Sequence, residues 1–250
     1  MYWITFILIF ALILFLVWAS ADVGSNIYLK TMCKGDYKQR VVALTFDDGP
    51  DELMTPKVLD VLKQHNIKAT FFLIGAKVDK HPEIVRRIVA EGHIVANHTY
   101  SHTGLFPLST KKTVKQQLQM CSASIKNTVG LSPKLFRPPF GVTNPIIGRS
   151  VNELGLQTIG WSVRSLDTIN SKTRSEICQR VQIRLHPGAI ILLHDRCNKA
   201  DELLQEIIRT TFENNYSFIS LDKMLKIKNY EDIIRDDDQQ TVRKLKANIK

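Results

Sequence analysis

The run Val41-Val42-Ala43-Leu44-Thr45-Phe46-Asp47-Asp48-Gly49-Pro50 decides how the chain is read. A short apolar, β-rich stretch gives way at once to two carboxylates and a Gly-Pro breaker. Such a stretch predicts a buried strand that ends in a turn. The same plan recurs outward from it, with strand-like runs at 69–74, 94–97, 135–137, 158–163, 189–194 and 217–221. Amphipathic stretches at 56–65, 82–91, 110–129, 145–154, 175–184 and 199–213 lie between them. Pro56 and Pro82 suit a first helical turn, and Gly92, Gly130 and Gly155 suit helix ends. Seven strands alternating with helices predict an α/β fold whose parallel sheet closes, or nearly closes, into a (β/α) barrel. A doubly wound open sheet is the structural alternative. No GxGxxG follows the first strand, which removes its usual dinucleotide reading.

The strand interiors are apolar, and several strands end in unusual polar residues. Asp47-Asp48 follows the first, Asn97-His98-Thr99-Tyr100-Ser101-His102 the third, Arg137-Pro138-Pro139-Phe140-Gly141 the fourth, and His194-Asp195 the sixth. In parallel α/β architectures the strand C-termini meet at one rim, so these distant residues are expected in one cleft. Asp47 and Asp48 would face opposite sides of a regular strand, but a bend before Gly-Pro lets both reach the rim. Two carboxylates this close ionise together only with a cation between them. His98 and His102 lie four apart, so a helical or turn-like loop puts both imidazoles on one side. One carboxylate with two histidines leaves an open position on a divalent ion, the pattern of a catalytic site. The other carboxylate could serve as a base, Arg137 could orient it, and His194 could protonate a leaving group. His65, His81, His93 and His186 sit at helix ends, loops or turns and are expected to have no role.

Thr45 to Pro50, His98 to His102, Arg137 to Gly141 and Leu192 to Asp195 resemble, in order and spacing, the motifs of polysaccharide deacetylases, the NodB-homology or carbohydrate esterase family 4 domain. The resemblance spans about residues 41–221. It implies a distorted (β/α) barrel of about seven strands, and removal of N-acetyl groups from glycans such as peptidoglycan or chitin. It further implies Asp47 as general base, with Asp48, His98 and His102 as ligands of a divalent metal, usually zinc. Arg137 resembles the base-positioning arginine, the Phe140 N–H the oxyanion donor, and His194 the general acid. Leu192 resembles the residue lining the acetyl pocket, with Trp161 and Asp167 also on the substrate side. Phe140 stands where Tyr is commoner.

One motif departs from the family. The stretch reads Trp161-Ser162-Val163-Arg164-Ser165-Leu166-Asp167-Thr168, with Arg164 where the family often has the Asp that orients the acid histidine. A nearby arginine would lower that histidine's pKa. Either Asp167 takes over the role, or Arg164 meets an anionic substrate, or Arg164 turns to solvent. The alternative function is a non-catalytic glycan-binding module whose acid step has decayed.

Residues 3–19 carry no charge and are apolar apart from Thr5. They read as a membrane anchor within residues 1–21, or as a signal peptide with Ala19-Ser20-Ala21 as its cleavage site. Lys30 and Lys34 follow the span and would favour a cytoplasmic domain, but a cell-wall glycan is met outside, and that weighs more. The expected location is therefore membrane-anchored, alternatively secreted, with the catalytic domain extracytoplasmic. Residues 22–40 read as a polar linker with some local structure, 41–225 as the deacetylase domain, and 226–250 as a charged tail. The 250 residues hold 34 Lys+Arg against 24 Asp+Glu, a net charge of +10 that suits an anionic polymer or membrane surface. Neither zinc-finger spacing nor an RNP-like aromatic motif is present, so nucleic acid is not an expected partner. Four cysteines are too few for a disulfide scaffold.

Overall fold

The structure is a computed structural model that describes residues 2–231. Among the described residues nine strands form one sheet: β1 (Thr31–Met32), β2 (Val41–Gly49), β3 (Thr70–Leu73), β4 (Ile94–Asn97), β5 (Leu135–Phe136), β6 (Gln157–Ile159), β7 (Val163–Arg164), β8 (Ala189–His194) and β9 (Ser217–Phe218). The order is β1-β6-β5-β4-β3-β2-β8-β7, with β9 added on β2, and every pairing between these strands is parallel. The helices are α1 (Tyr2–Ala21), α2 (Met54–Gln64), α3 (Gly75–Lys80), α4 (Pro82–Ala90), α5 (Lys111–Val129), α6 (Pro145–Glu153), α7 (Arg174–Gln182), α8 (Ala200–Glu213) and α9 (Leu221–Leu225).

The run expected as one strand at 158–163 is two. Its start pairs with β5 as β6, and its end pairs with β8 as β7, with Gly160, Trp161 and Ser162 between. That break curls the sheet round into a distorted half-barrel, as the α/β barrel reading requires.

Period-two alternation on β2 aims the chemistry. Val42, Leu44 and Phe46 join the core beneath the helices, packed with α2, α4 and α8 residues such as Leu59, Ile88 and Ile207. Ala43 belongs to the second core, with Phe72, Leu135, Ile159 and Ile190. The alternate positions Thr45 and Asp47 therefore face the same side as Ala43, where both meet Arg137.

The segment 22–40, expected as a linker, is woven into the domain. Its β1 pairs with β6, and Val23, Leu29 and Thr31 are buried. Two-residue strands carry no readable periodicity, so composition dominated the expectation. At the other end, Tyr230, expected in the tail, reaches back, and its Oη accepts the Val95 N–H at 3.0 Å. The rest of that tail, with Asp236-Asp237-Asp238, lies outside the described residues. Helix α1 is exposed along nearly its whole length and is apolar and long enough to cross a membrane.

Candidate active site

The expected bend occurs at Asp48. Its φ is 72°, and the β2–β3 register shifts between Asp47 and Gly49. This bulge turns the Asp48 carboxylate to the same rim as Asp47. Lys77 Nζ donates to the Asp48 carbonyl at 2.7 Å and braces the unusual backbone. Gly49 is required there, because a Cβ would collide with the Asp195 carboxyl.

After β4 the chain makes a turn-like loop rather than a helix. Thr99 and His102 both have positive φ, at 68° and 47°. Asn97 Oδ1 accepts the Thr99 N–H at 2.9 Å, and Thr99 Oγ1 accepts the His102 N–H at 3.2 Å. The two imidazoles come to 4.8 Å between ring centroids. His98 Nδ1 donates to the Arg137 carbonyl at 2.8 Å, which leaves Nε2 free as a lone-pair donor.

Asp48 Oδ1 lies 3.5 Å from His98 Nε2 and 3.3 Å from His102 Nε2. It is buried and has no hydrogen-bond partner. One ligand atom from each of Asp48, His98 and His102 lies within 4.8 Å of the others, so the three form a candidate metal site. An orphaned carboxylate oxygen facing two imidazole nitrogens fits a divalent ion that accepts mixed N and O ligands. The second Asp48 oxygen is occupied, because Arg196 Nε donates to Oδ2 at 2.7 Å. Burial alone would raise the Asp48 pKa, but His98, His102 and Arg196 outweigh it and hold it far below the carboxylate range. Burial, then His98, lowers the His102 pKa, so its imidazole is kept neutral, as a ligand must be.

Arg137 is fully buried and makes four hydrogen bonds through its guanidinium. Nη1 donates to Asp47 Oδ1 at 2.7 Å and to Thr45 Oγ1 at 2.9 Å. Nη2 donates to the Gly160 carbonyl at 2.8 Å, and Nε to that of Ile159 at 3.2 Å. The group also lies 4.0 Å from the Phe72 ring centroid. Asp47 is thereby held through Oδ1 by an arginine that its other hydrogen bonds fix in place.

On the far side, His194 Nδ1 donates to Asp167 Oδ1 at 2.8 Å, and the His194 backbone N–H donates to Oδ2 at 2.7 Å. Asp167 is itself fixed by Ser165 Oγ at 2.9 Å, beside Leu166 at φ 66°. Asp167 is the carboxylate paired with His194, as the first of the three readings for the departing motif expects. The lowering expected from Arg164 does not occur. Burial pulls the His194 pKa down, but the Asp167 hydrogen bond and charge outweigh it, and the pKa is raised. Arg164 instead lines the cavity mouth, its guanidinium 5.8 Å from the Trp161 ring centroid.

Asp47, Asp48, His98, His102, Phe140, Trp161, Leu192 and His194 all line one cavity of about 160 Å³. Arg137 and Asp167 stand behind it, each bonded to a lining residue. Phe140 has φ 60° in the short turn Pro139–Gly141, and its ring meets His102 edge-on at 4.9 Å. The sequence reading missed Arg196 and Lys77, which grip the side chain and backbone of Asp48. Arg196 directly follows the His194-Asp195 pair, and that adjacency was its one available signal.

Residues 34–159 match the family described as polysaccharide deacetylase. A peptidoglycan-N-acetylglucosamine deacetylase of Bacillus cereus is 37% identical over 198 residues, covering 77% of this chain and 70% of that one. The peptidoglycan-N-acetylmuramic acid deacetylase PdaA of Bacillus subtilis is 34% identical, covering 76% of this chain and 73% of its own. Among solved structures, the Bc1960 peptidoglycan N-acetylglucosamine deacetylase superposes with a TM-score of 0.75 at 34% identity, covering 80% of this chain and 95% of that one. With half the chain matched by the family and relatives aligned across most of their length, this chain belongs to the polysaccharide deacetylase family.

Proposed function

We propose that this chain is a metal-dependent N-deacetylase that removes acetyl groups from an N-acetylated glycan of the peptidoglycan type, releasing acetate. The observation that carries the reading is the convergence of a braced carboxylate, an Asp-His-His cluster and a carboxylate-paired histidine on one small cavity. Most of the similar proteins are named for peptidoglycan, which puts it first as the substrate class, and one is named a chitooligosaccharide deacetylase. Residues 1–21 act as a membrane anchor, or alternatively as a signal peptide, and put the domain outside the cytoplasm, where that polymer lies. The deacetylase domain begins within the segment first taken for a linker.

Asp48, His98 and His102 would hold the divalent ion, zinc in this reading. Bound there, it supplies Lewis-acid polarisation of the acetamide carbonyl and a lowered pKa for the attacking water. Asp47 takes the proton of that water, with Arg137 fixing the carboxylate that receives it. The Phe140 N–H donates to the carbonyl oxygen as negative charge develops on it. Leu192 and Trp161 give the acetyl methyl an apolar wall. His194, oriented by Asp167, delivers a proton from Nε2 to the amide nitrogen as the C–N bond breaks, so that a neutral amine leaves.

The test is acetate release from peptidoglycan and chitin oligomers, with and without a chelator. Asp47→Asn should abolish turnover while metal content, read by elemental analysis, stays intact. Loss of metal in that variant would show that base and ligand have been confused. The non-catalytic alternative drew its support from Arg164 alone, and with Asp167 paired to His194 no observation at the site favours it.

A further inference from the structure

The end of α1 packs against the segment that follows the Phe140 turn. Ala19 is fully buried, and its carbonyl accepts from Ser25 Oγ at 2.8 Å. The Ser20 carbonyl accepts the Thr143 N–H at 2.9 Å, three residues beyond Phe140. Val23 packs beside Gly141 and Gly160, under the turn that carries Phe140. The helix therefore leaves the domain without a spacer. Twenty helical residues rise about 30 Å, the thickness of a hydrocarbon core. Trp3 and Trp18 stand near the two ends of that helix, where indoles settle at a membrane–water boundary. With Trp18 at the boundary, Ala19 and Thr143 lie there too.

The surface next to that point is apolar. Asn144 follows Thr143, and its Nδ2 donates to the Pro107 carbonyl at 2.6 Å. On either side of Pro107, Leu105 is 71% exposed and Leu108 83% exposed, and the Phe140 ring is 51% exposed. Nine large apolar side chains beyond α1 stand out this way among the described residues. Five of them, Leu53, Leu105, Leu108, Phe140 and Ile169, sit on loops that follow strands at the cleft rim. Isolated exposed apolar residues are ordinary, but Leu105, Leu108 and Phe140 are tied through Asn144 and Thr143 to the end of the membrane helix, and together they mark an interaction surface.

We propose that Leu105, Leu108 and the Phe140 ring rest on the lipid surface, so that the cleft opens at the membrane–water boundary and takes glycan held close to the bilayer. The inference rests on reading residues 1–21 as an anchor. Burying these side chains in the interface adds apolar contact to the helix's own insertion and fixes which way the cleft faces.

The test uses the full chain in phosphatidylcholine–phosphatidylglycerol vesicles, with the partly exposed Cys33 and Cys197 changed to Ser. One fluorophore is attached through Leu108→Cys, and in a second protein through Glu213→Cys. Glu213 closes α8 at the opposite end of the barrel, where the carbonyl of Asn214 meets Arg40, just before β2. Brominated lipid should quench the label at 108 several-fold more than the label at 213. Equal quenching at both sites, in protein that resists alkaline carbonate extraction, overturns the rim contact while leaving the anchor standing. Protein that washes off the vesicles overturns the anchor reading and this inference with it. As a second readout, the Leu105→Gln/Leu108→Gln variant should keep acetate release from soluble chitin oligomers. It should lose release several-fold from an N-acetylated disaccharide carried on a lipid tail in the same vesicles. Equal loss on both substrates also overturns the proposal.

Discussion

Asp48 at the rim and Asp195 just beneath it are both buried carboxylates, and they are held in opposite states. Asp48 is gripped by Arg196 and faces the imidazoles of His98 and His102, and together they outweigh desolvation and keep it ionised. Asp195 is fully buried with the Thr55 hydroxyl as its hydrogen-bond donor, and desolvation pushes its pKa up to about 7. The histidines divide the same way. His194 at the rim pairs with Asp167 and is raised. His93, packed edge-on against Phe71 in the layer below, is pushed down by burial to about 4 and accepts the Ala69 N–H as a neutral ring. Desolvation acts on all four, so it cannot distinguish a reactive group from a packed one; the close hydrogen-bonded charge, Arg196 on Asp48 and Asp167 on His194, does.

Removing the rim carboxylate should have the largest effect. Asp48→Asn takes away the only anionic member of the Asp-His-His cluster, so bound metal should fall well below one equivalent per chain. Acetate release should drop by more than roughly 10³-fold, beyond the loss of a single oxyanion donor. Normal metal content in this variant, measured beside the wild type, would remove Asp48 from the ligand set.

Cutting the histidine's partner tests the other half of the comparison. Asp167→Asn leaves the His194 ring in place but removes the charge that raises its pKa. His194 must be protonated to act as an acid, so a raised pKa extends activity toward higher pH. The variant should therefore lose kcat by about 10²-fold, and the basic limb of its pH profile should move to lower pH. A basic limb that stays where it was would assign that limb to another group.

Much of this was legible in the sequence, for a physical reason. The alternation Val42, Leu44, Phe46 against Ala43, Thr45, Asp47 fixes which face each side chain takes, and strand C-termini in a parallel sheet must share a rim. The bend at Asp48 was also foreseeable from the Gly-Pro that follows it. Asp167 was harder to assign, because its approach to His194 depends on Leu166 taking a left-handed backbone, which no residue type there announces. The role of residues 22–40 was hidden too: β1 is held by pairing with β6, more than a hundred positions away, and two residues carry no period. Asp195 stood beside His194 in the sequence with equal claim to the chemistry. Only its contact with Gly49 and Thr55 reveals a packing group.

That packing group offers the smallest effect on activity and a clear one on stability. The Asp195 carboxyl keeps its proton in the folded protein up to about pH 7, whereas in the unfolded chain it ionises near the ordinary value of 3.8. Below that value both states are protonated and the residue adds no pH dependence. Between there and about pH 7 the folded state binds the extra proton, so its stability falls as pH rises. Above that window both states are ionised and the loss is complete. Asn has the same shape, keeps an oxygen to accept from Thr55, and cannot ionise. Asp195→Asn should therefore flatten the decline, gaining on the wild type by something of the order of a few kcal/mol between pH 4 and pH 8. Urea unfolding of chelator-treated protein at several pH values reads this directly, free of any metal contribution. Acetate release by the metal-loaded variant should stay within a few-fold of the wild type, since Asp195 touches no group that handles substrate. Parallel stability curves for the two proteins would mean that Asp195 is ionised after all, and that a cation beneath the rim serves it as Arg196 serves Asp48.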